Sequence, residues 1–328
     1  MLKSSLAIAI LVVLSAFACN NFCIAQPVAT SQSWTIDKYV AEYGKVRGNP
    51  SDLGLNGMKT AVIDPHFYHP QNDLFIFNAP AFRPLKIGQG EAPALSPDGG
   101  MIAYCGFLPG KFKTQIWIMK ADGSVPRQLT DMAGSPCDPA WSPTGMKIAF
   151  SADTDKSESV FVLDFKLRTV VPIGIGRLPR WSPDGKQLVF LRAPETSHAF
   201  ASIWVSDADG KHERLVIETA ASFPAANWSN DGQSIIYMEE SKSGKGVYRV
   251  DLDGKNRVKL TGDDHKNLTF LSVSPDGRQL FLVEWHGEID NQNGPHENNS
   301  LLVVDLNTQK PRWLTNAVTG DVHWTKGN

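Results

Sequence analysis

The chain has 328 residues, is 42% hydrophobic and 20% charged, and carries a formal net charge of −2. These proportions are ordinary for a folded protein with a sizeable core. With 32 basic residues against 34 acidic ones, the chain shows no electrostatic footprint of a nucleic-acid binder and no polyanionic tail.

At the start of the chain, Lys3 is followed by the apolar run "LAIAILVVLSAFA" and by small residues at Ala18 and Ala25. This is the pattern of a secretory signal peptide over residues 1–25, too short for a convincing membrane span. The alternative, a lipid anchor at Cys19, is less favoured because Ala16-Phe17-Ala18 lacks the usual leucine. Export to the periplasm or beyond is expected, with no transmembrane span after cleavage. Residues 26–57 contain "SWTIDKYVAEYGKVRGNPSDLGL", in which Ile36, Tyr39, Val40 and Tyr43 fall on one helical face. One short helix and a linker are expected there.

From residue 58 onward the chain is built of repeats. "APALSPDGGMIAY" from Ala92, "DPAWSPTGMKIAF" from Asp138, "LPRWSPDGKQLVF" from Leu178, "AANWSNDGQSIIY" from Ala225 and "FLSVSPDGRQLFL" from Phe270 are five copies of one unit. Their serines, Ser96, Ser142, Ser182, Ser229 and Ser274, recur every 40 to 47 residues. That period suits a four-stranded propeller blade. About twenty residues into each copy comes an apolar, β-branched or aromatic run that ends in a turn signal, such as "QIWIMKADG" from Gln115 or "SIWVSDADG" from Ser202. A short fourth strand follows, as in "RQLT" from Arg127 and "VKLT" from Val258. Each copy therefore reads as strands A, B, C and D, with Ser-Pro-Asp-Gly turning A into B.

The two ends supply one more unit. "DVHWTKGN", Asp321 to Asn328, matches the opening of the repeat, whereas "DLFIFNAPAFRPLKIG" from Asp73 matches strands C and D. Joining them predicts an all-β, six-bladed β-propeller over residues 58–328, closed by pairing the C-terminal strand with the N-terminal strands, which leaves no free sheet edge at the closure.

The Trp-Ser-Pro-Asp-Gly-x-x-Ile-Ala-Phe and Ile-Tyr-Val-x-Asp-x-Asp-Gly pattern resembles the propeller repeat of the TolB family, the periplasmic component of the Tol-Pal envelope system. The resemblance covers residues 58 to 328 and implies a propeller that binds protein partners or ligands. TolB also has an α/β domain before its propeller, and residues 26–57 are too few to hold one, so a stand-alone propeller is expected. Similar propellers precede the hydrolase domain of prolyl-oligopeptidase-type peptidases. No Gly-x-Ser-x-Gly nucleophile elbow occurs in the 328 residues, so no catalytic residue is assigned and a serine peptidase is excluded.

Several repeat residues have structural explanations. Trp141, Trp181, Trp228 and Trp324 share one strand position and are expected to pack between blades. Asp98, Asp184, Asp231 and Asp276 precede a turn glycine and are expected to bond nearby amides. In an antiparallel blade the A–B and C–D turns share one face, and the B–C and D–A loops share the other. The loops of that second face, from 106–113 to 286–299, hold 13 Asp and Glu against 8 Lys and Arg. A cation, an oligosaccharide or a basic segment of an envelope protein suits this face better than nucleic acid.

Two groups are candidates for binding. The position just before the tryptophan runs Ala94, Ala140, Arg180, Asn227, Ser272 and His323. With Asp138 and Asp321 near the channel mouth, its polar members are expected to line a small pocket, the alternative being that inter-blade hydrogen bonds use them up. The loop "HGEIDNQNGPHENN" offers His286, Glu288, Asp290, His296 and Glu297, ligand types that suit zinc or manganese, but their spacing matches no metal motif and a solvated loop is favoured. No cofactor is expected, with a divalent cation the alternative. Cys105 ends a strand B and Cys137 begins the next strand A, which puts both on the loop face of adjacent blades and permits a disulfide if their Cα atoms lie within about 7 Å. The function expected is that of an exported, non-catalytic interaction or ligand-binding scaffold of the cell envelope. The alternative is a polysaccharide lyase or hydrolase with His323 or His286 as base.

Overall fold

Strands with apolar residues on both faces must be covered on both sides, and this chain supplies them in series. The computed structural model describes residues 59–316, except 64–72, 79–82, 110–112, 155–156, 194–200, 220–224, 242–243, 262–267, 275–276, 286–287, 291–293, 297–298 and 309–310. Every regular element in the described residues is a β-strand. None of them is a helix long and apolar enough to cross a membrane.

Blade 1 is a three-stranded sheet of β1 (Lys59–Ile63), β2 (Asp73–Asn78) and β3 (Arg83–Gln89). Blade 2 follows with β4 (Glu91–Leu95), β5 (Met101–Phe107), β6 (Thr114–Lys120) and β7 (Arg127–Gln128). Blade 3 has β8 (Cys137–Trp141), β9 (Lys147–Asp153), β10 (Glu158–Asp164) and β11 (Thr169–Ile175). Blade 4 has β12 (Arg177–Trp181), β13 (Gln187–Arg192), β14 (Ala201–Asp207) and β15 (Arg214–Thr219). Blade 5 has β16 (Ala226–Trp228), β17 (Ser234–Ser241), β18 (Gly244–Asp251) and β19 (Val258–Lys259). Blade 6 has β20 (Leu268–Val273) and β21 (Gln279–Trp285), then a small hairpin of β22 (Glu288–Asp290) and β23 (Gly294–His296), and finally β24 (Asn299–Asp305) and β25 (Pro311–Asn316). All pairings are antiparallel between neighbours in sequence, except that β21 pairs with β24 across the hairpin.

The repeat pattern thus yields an all-β propeller of four-stranded blades. The expected number of blades is corrected: the described residues form five four-stranded blades, not six, together with the three-stranded sheet of blade 1. In that sheet β1 takes the strand B position and pairs with β2, an assignment the sequence reading missed. Asp321 to Asn328, expected to supply its strand A, lies outside the described residues, as do the expected signal peptide and the segment 26–57.

The core lies between the blades. Side chains of blades 4 and 5 form one cluster, in which Val189, Ile203 and Val205 meet Trp228, Ile235 and Tyr237. Equivalent clusters join blades 1 and 2, 2 and 3, 3 and 4, and 5 and 6. Burial on both faces explains why strands such as "KIAFSAD" do not alternate polar with apolar residues: their five central residues are all buried.

Two contacts hold blades on the one before, and a third fixes the A–B turn within a blade. The Trp141 indole N–H donates to the Ala94 carbonyl (3.0 Å), Trp181 to Ala140 (3.0 Å) and Trp228 to Arg180 (3.1 Å), always one blade back. The C–D turn glycine lies against the preceding outer strand: at Gly210, which has φ 83°, a Cβ would sit 2.5 Å from the Ile173 carbonyl oxygen. At the A–B turn the serine hydroxyl accepts from the amide at the start of strand B, as between Ser182 and Gln187 (2.9 Å), and donates to the turn aspartate, as to Asp184 (2.7 Å). These bonds hold the Asp184 and Asp231 carboxyls below the usual carboxylate range. Asp98, Asp184 and Asp231 are therefore consumed in their turns, whereas Asp276 lies outside the described residues.

The indole bond generates a prediction. Trp181→Phe keeps an aromatic ring but leaves the Ala140 carbonyl without its donor, and is expected to lower unfolding stability by about 1–3 kcal/mol. Urea denaturation checks this, and an unchanged midpoint would contradict the role given to the indole N–H.

Candidate functional site

The inner strands begin with a shared irregularity. Four residues before the turn serine, Ala92, Asp138 and Leu178 have φ values of 45°, 55° and 52°. At each of these places the pairing of strands A and B slips, between Glu91 and Ala94, Cys137 and Ala140, and Arg177 and Arg180. These are β-bulges, which bend the strand end and re-aim its side chains. A left-handed backbone costs most residues roughly 1–2 kcal/mol and suits aspartate better than alanine or leucine.

Around these bulges, blades 2, 3 and 4 bring charged groups together on the loop face. Asp138 Oδ2 accepts a hydrogen bond from the Ser151 hydroxyl (2.8 Å). Glu91 lies within electrostatic range of Asp138, and burial, with a smaller push from Asp138, raises its carboxyl above the usual range. Glu158 is pushed up to about 7, first by burial and then by repulsion from Asp138 and Asp153, against the pull of Arg177. Arg177 Nε lies 4.0 Å from Glu158 Oε2. The Cys105–Cys137 disulfide, with Cα atoms 5.2 Å apart, crosses from blade 2 to blade 3 beside this cluster. Glu91 is the cross-strand partner of Cys105, and Ser151 that of Cys137.

Glu158 also follows a structural rule. The residue at the loop-face start of strand C reaches toward the next blade's inner strand three times: the Thr114 hydroxyl donates to the Pro136 carbonyl (3.0 Å), Glu158 approaches Arg177, and buried Lys245 donates to the Leu268 carbonyl (3.3 Å). Burial pulls the Lys245 ammonium below its ordinary range.

The expected ring of pocket residues is only partly assembled. Asn227 Nδ2 donates to the Leu271 carbonyl of blade 6 (2.9 Å), and Arg180 Nη1 to the neighbouring Pro179 carbonyl (2.9 Å), so these two are engaged in holding backbone. Ser272 is half-buried on β20. Asp321 and His323 lie outside the described residues. So do His286 and Glu297, together with the side chains of Glu288, Asp290 and His296, although the backbone pairs Glu288 with His296 in the β22–β23 hairpin. Among the described residues no group of three or more His, Cys, Asp or Glu is placed to hold a metal ion. Sequence reasoning found Asp138 but missed Glu91, Asp153, Glu158 and Arg177. The available signal was that all four stand at the loop-face ends of strands in successive blades.

Two predictions follow from this geometry. A carboxyl whose folded pKa lies above its unfolded value of 4.5 stabilises the fold fully below that value and loses the contribution as pH rises through about 7. The Glu158 side chain is 38% exposed, so solvent screens part of the effect. Glu158→Gln is expected to match the parent Tm at pH 5 and to exceed it by about 2 °C at pH 8; equal differences at both pH values would refute the assignment. Cys137→Ser, or reduction of the disulfide, is expected to lower stability by about 2–4 kcal/mol. Denaturation with and without reductant measures this, and no loss would show that the bridge does not staple the two blades.

No protein-family model matches the chain. Among curated relatives, dipeptidyl-peptidase 5 of Porphyromonas endodontalis is 36% identical over 252 residues, which is 70% of this chain and 34% of that protein. The uncharacterized peptidase YuxL of Bacillus subtilis is 27% identical over 224 residues, covering 62% of this chain and 31% of the relative. The Tol-Pal system protein TolB of Francisella tularensis is 27% identical over 113 residues, 34% of this chain and 24% of that protein. The chain thus spans a quarter to a third of the length of these relatives. Among solved structures, TolB from Acinetobacter baumannii superposes with a TM-score of 0.60 at 21% identity, over 88% of this chain and 70% of that one. An oligogalacturonate lyase in complex with manganese does so with a TM-score of 0.52 at 15% identity, over 74% of this chain and 70% of that one.

These likenesses correct the expectation that the protein is not an enzyme and that a serine peptidase is excluded. Two relatives are named as peptidases and one structural neighbour is a lyase, so enzymatic function is an open reading. The absence of a nucleophile elbow describes these 328 residues alone. What the repeats, the blades and the superposition establish together is the architecture: the chain carries a TolB-like β-propeller.

Proposed function

We propose that the chain is an exported, TolB-like interaction propeller of the cell envelope, located in the periplasm, whose loop-face mouth takes a basic segment of a protein partner. The observation that carries this reading is the convergence of Glu91, Asp138, Asp153 and Glu158 from two adjacent blades, with Asp138 repelling both glutamates. A lysine or arginine of a partner entering there relieves that repulsion, and its attraction weakens with salt. The likeness to TolB, by sequence and by structure, supports a protein partner and an envelope setting.

We further infer that the ring closes with six blades, Asp321 to Asn328 adding strand A to β1–β2–β3. Trp324 occupies the repeat position of Trp141, Trp181 and Trp228, and the carbonyl one blade back at the acceptor position is that of Ser272.

A second reading is favoured by the names of the relatives. In it the mouth serves an enzyme, acting on peptides or on polysaccharide, with the 286–299 loop or His323 contributing.

Affinity capture from envelope extract tests the first reading, using the parent chain and Glu91→Gln/Asp138→Asn. Asparagine tolerates the left-handed backbone, so the bulge is retained. A protein captured by the parent is expected to be recovered at least tenfold less with the double variant and less at high salt. Equal recovery with both chains removes the mouth as the binding site. Turnover of dipeptide anilides or oligogalacturonate by the purified parent would favour the enzyme reading.

A further inference from the structure

The loop-face ends of blades 2 and 3 are joined by a covalent link that lies among the carboxylates of the mouth. Among the described residues Cys105–Cys137 is the one disulfide. Glu91 stands opposite Cys105 in the β4–β5 ladder, and Asp138 directly follows Cys137 on β8. The bridge therefore holds together two strand ends whose carboxylates repel each other. Burial, and after it the charge of Asp138, pushes the Glu91 carboxyl toward its neutral form. Asp153 and Glu158 add to the negative charge from blade 3, and Arg177 of blade 4 offsets part of it.

The other ties between the two blades do not depend on the bridge. The Trp141 indole donates to the Ala94 carbonyl, Ile148 and Phe150 pack against Ile116 and Ile118, and the Thr114 hydroxyl donates to the Pro136 carbonyl. Breaking the S–S bond thus leaves the blades stacked and frees only the strand ends that carry Glu91 and Asp138, which their like charges then drive apart. The two sulfurs also differ in access: Cys105 is fully buried and Cys137 half-buried, so an incoming thiol reaches the Cys137 sulfur first.

We propose that the Cys105–Cys137 disulfide is a redox control of the mouth: closed, it holds Glu91 and Asp138 near enough to share one cationic side chain, and a dithiol that opens it lowers the affinity for that cation. This rests on the reading of the mouth as the site of a basic segment. In the opening step a thiolate of the dithiol attacks Cys137 Sγ, the S–S bond breaks, and Cys105 leaves with the electron pair. The second thiol of the dithiol then attacks the mixed disulfide and releases Cys137. The dithiol is oxidised by two electrons to its own disulfide, and its two protons end on Cys105 and Cys137. The coupling is reciprocal: a cation that relieves the repulsion makes the bridge harder to reduce by the same factor as reduction weakens the binding of that cation.

Equilibration of the full chain at pH 8 with mixtures of reduced and oxidised dithiothreitol tests the proposal, with Cys105 and Cys137 read by alkylation and peptide mass spectrometry. The ratio of reduced to oxidised reagent that half-opens the bridge is expected to be at least about threefold higher in Glu91→Gln and in Asp138→Asn than in the parent. Asp209→Asn, which removes an exposed carboxylate of the turn face, should leave the ratio unchanged. Tetralysine at low salt is expected to raise the ratio in the parent, and to bind the oxidised parent at least about threefold more tightly than the reduced one. Equal ratios in the parent and both mouth variants overturn the proposal, as does equal tetralysine affinity in the two redox states. Failure of the underlying reading looks different: the oxidised parent then binds no tetralysine although the mouth variants still shift the ratio, and the control of binding falls with that reading.

Discussion

Among the described residues successive blades share no β-ladder, so the fold depends on what their side chains do across the gap. The central polar contact is the indole N–H of one inner strand on the carbonyl of the preceding one, at Trp141, Trp181 and Trp228. An inner strand has one edge in its own blade and the other toward the channel. A side-chain donor from the next blade satisfies a backbone carbonyl that would otherwise be buried unpaired. The same ring fills space between the sheets, so one residue type meets a packing requirement and a hydrogen-bonding one at once. Where blade 6 has Val273 in place of tryptophan, Asn227 of blade 5 supplies the bond in the opposite direction, to Leu271.

This arrangement explains what the sequence made legible. The repeat of Ser96, Ser142, Ser182, Ser229 and Ser274 gave the blades because each serine performs the same task in the same turn, leaving the same residue types at the same spacing. Blade 1 was only half legible because β1, "KTAVI", has no Ser-Pro-Asp-Gly turn before it in the chain. β11, "TVVPIGI", lacks the Leu-Thr that follows β7 and β19. That threonine has a job elsewhere: Thr130 and Thr261 accept from the amides of Ile116 and Val247.

The charged cluster was the least legible part. Glu91, Asp138, Glu158 and Arg177 are separated by 19 to 47 residues, and nothing local links them. Only the stacking of blades 2, 3 and 4 brings them together, and only the bulges at Ala92, Asp138 and Leu178 set how the strand ends enter the mouth. Composition hinted at an acidic loop face, but the repulsion between particular carboxylates is a property of the assembled ring. Conversely, Arg180 and Asn227 looked available for a ligand when read as a polar ring, whereas carbonyls of the neighbouring backbone already hold them.

The inter-blade contacts also have a direction. Each repeat with a tryptophan offers a donor backward and presents a carbonyl forward, and each C–D turn glycine leans backward on the outer strand before it. A row of such units has two unlike ends, as bricks with a tongue on one side and a groove on the other do. Unlike ends can meet within one molecule or between molecules, and like ends cannot. The geometry that permits a closed ring is therefore the same one that, left unclosed, favours head-to-tail polymers over symmetric dimers.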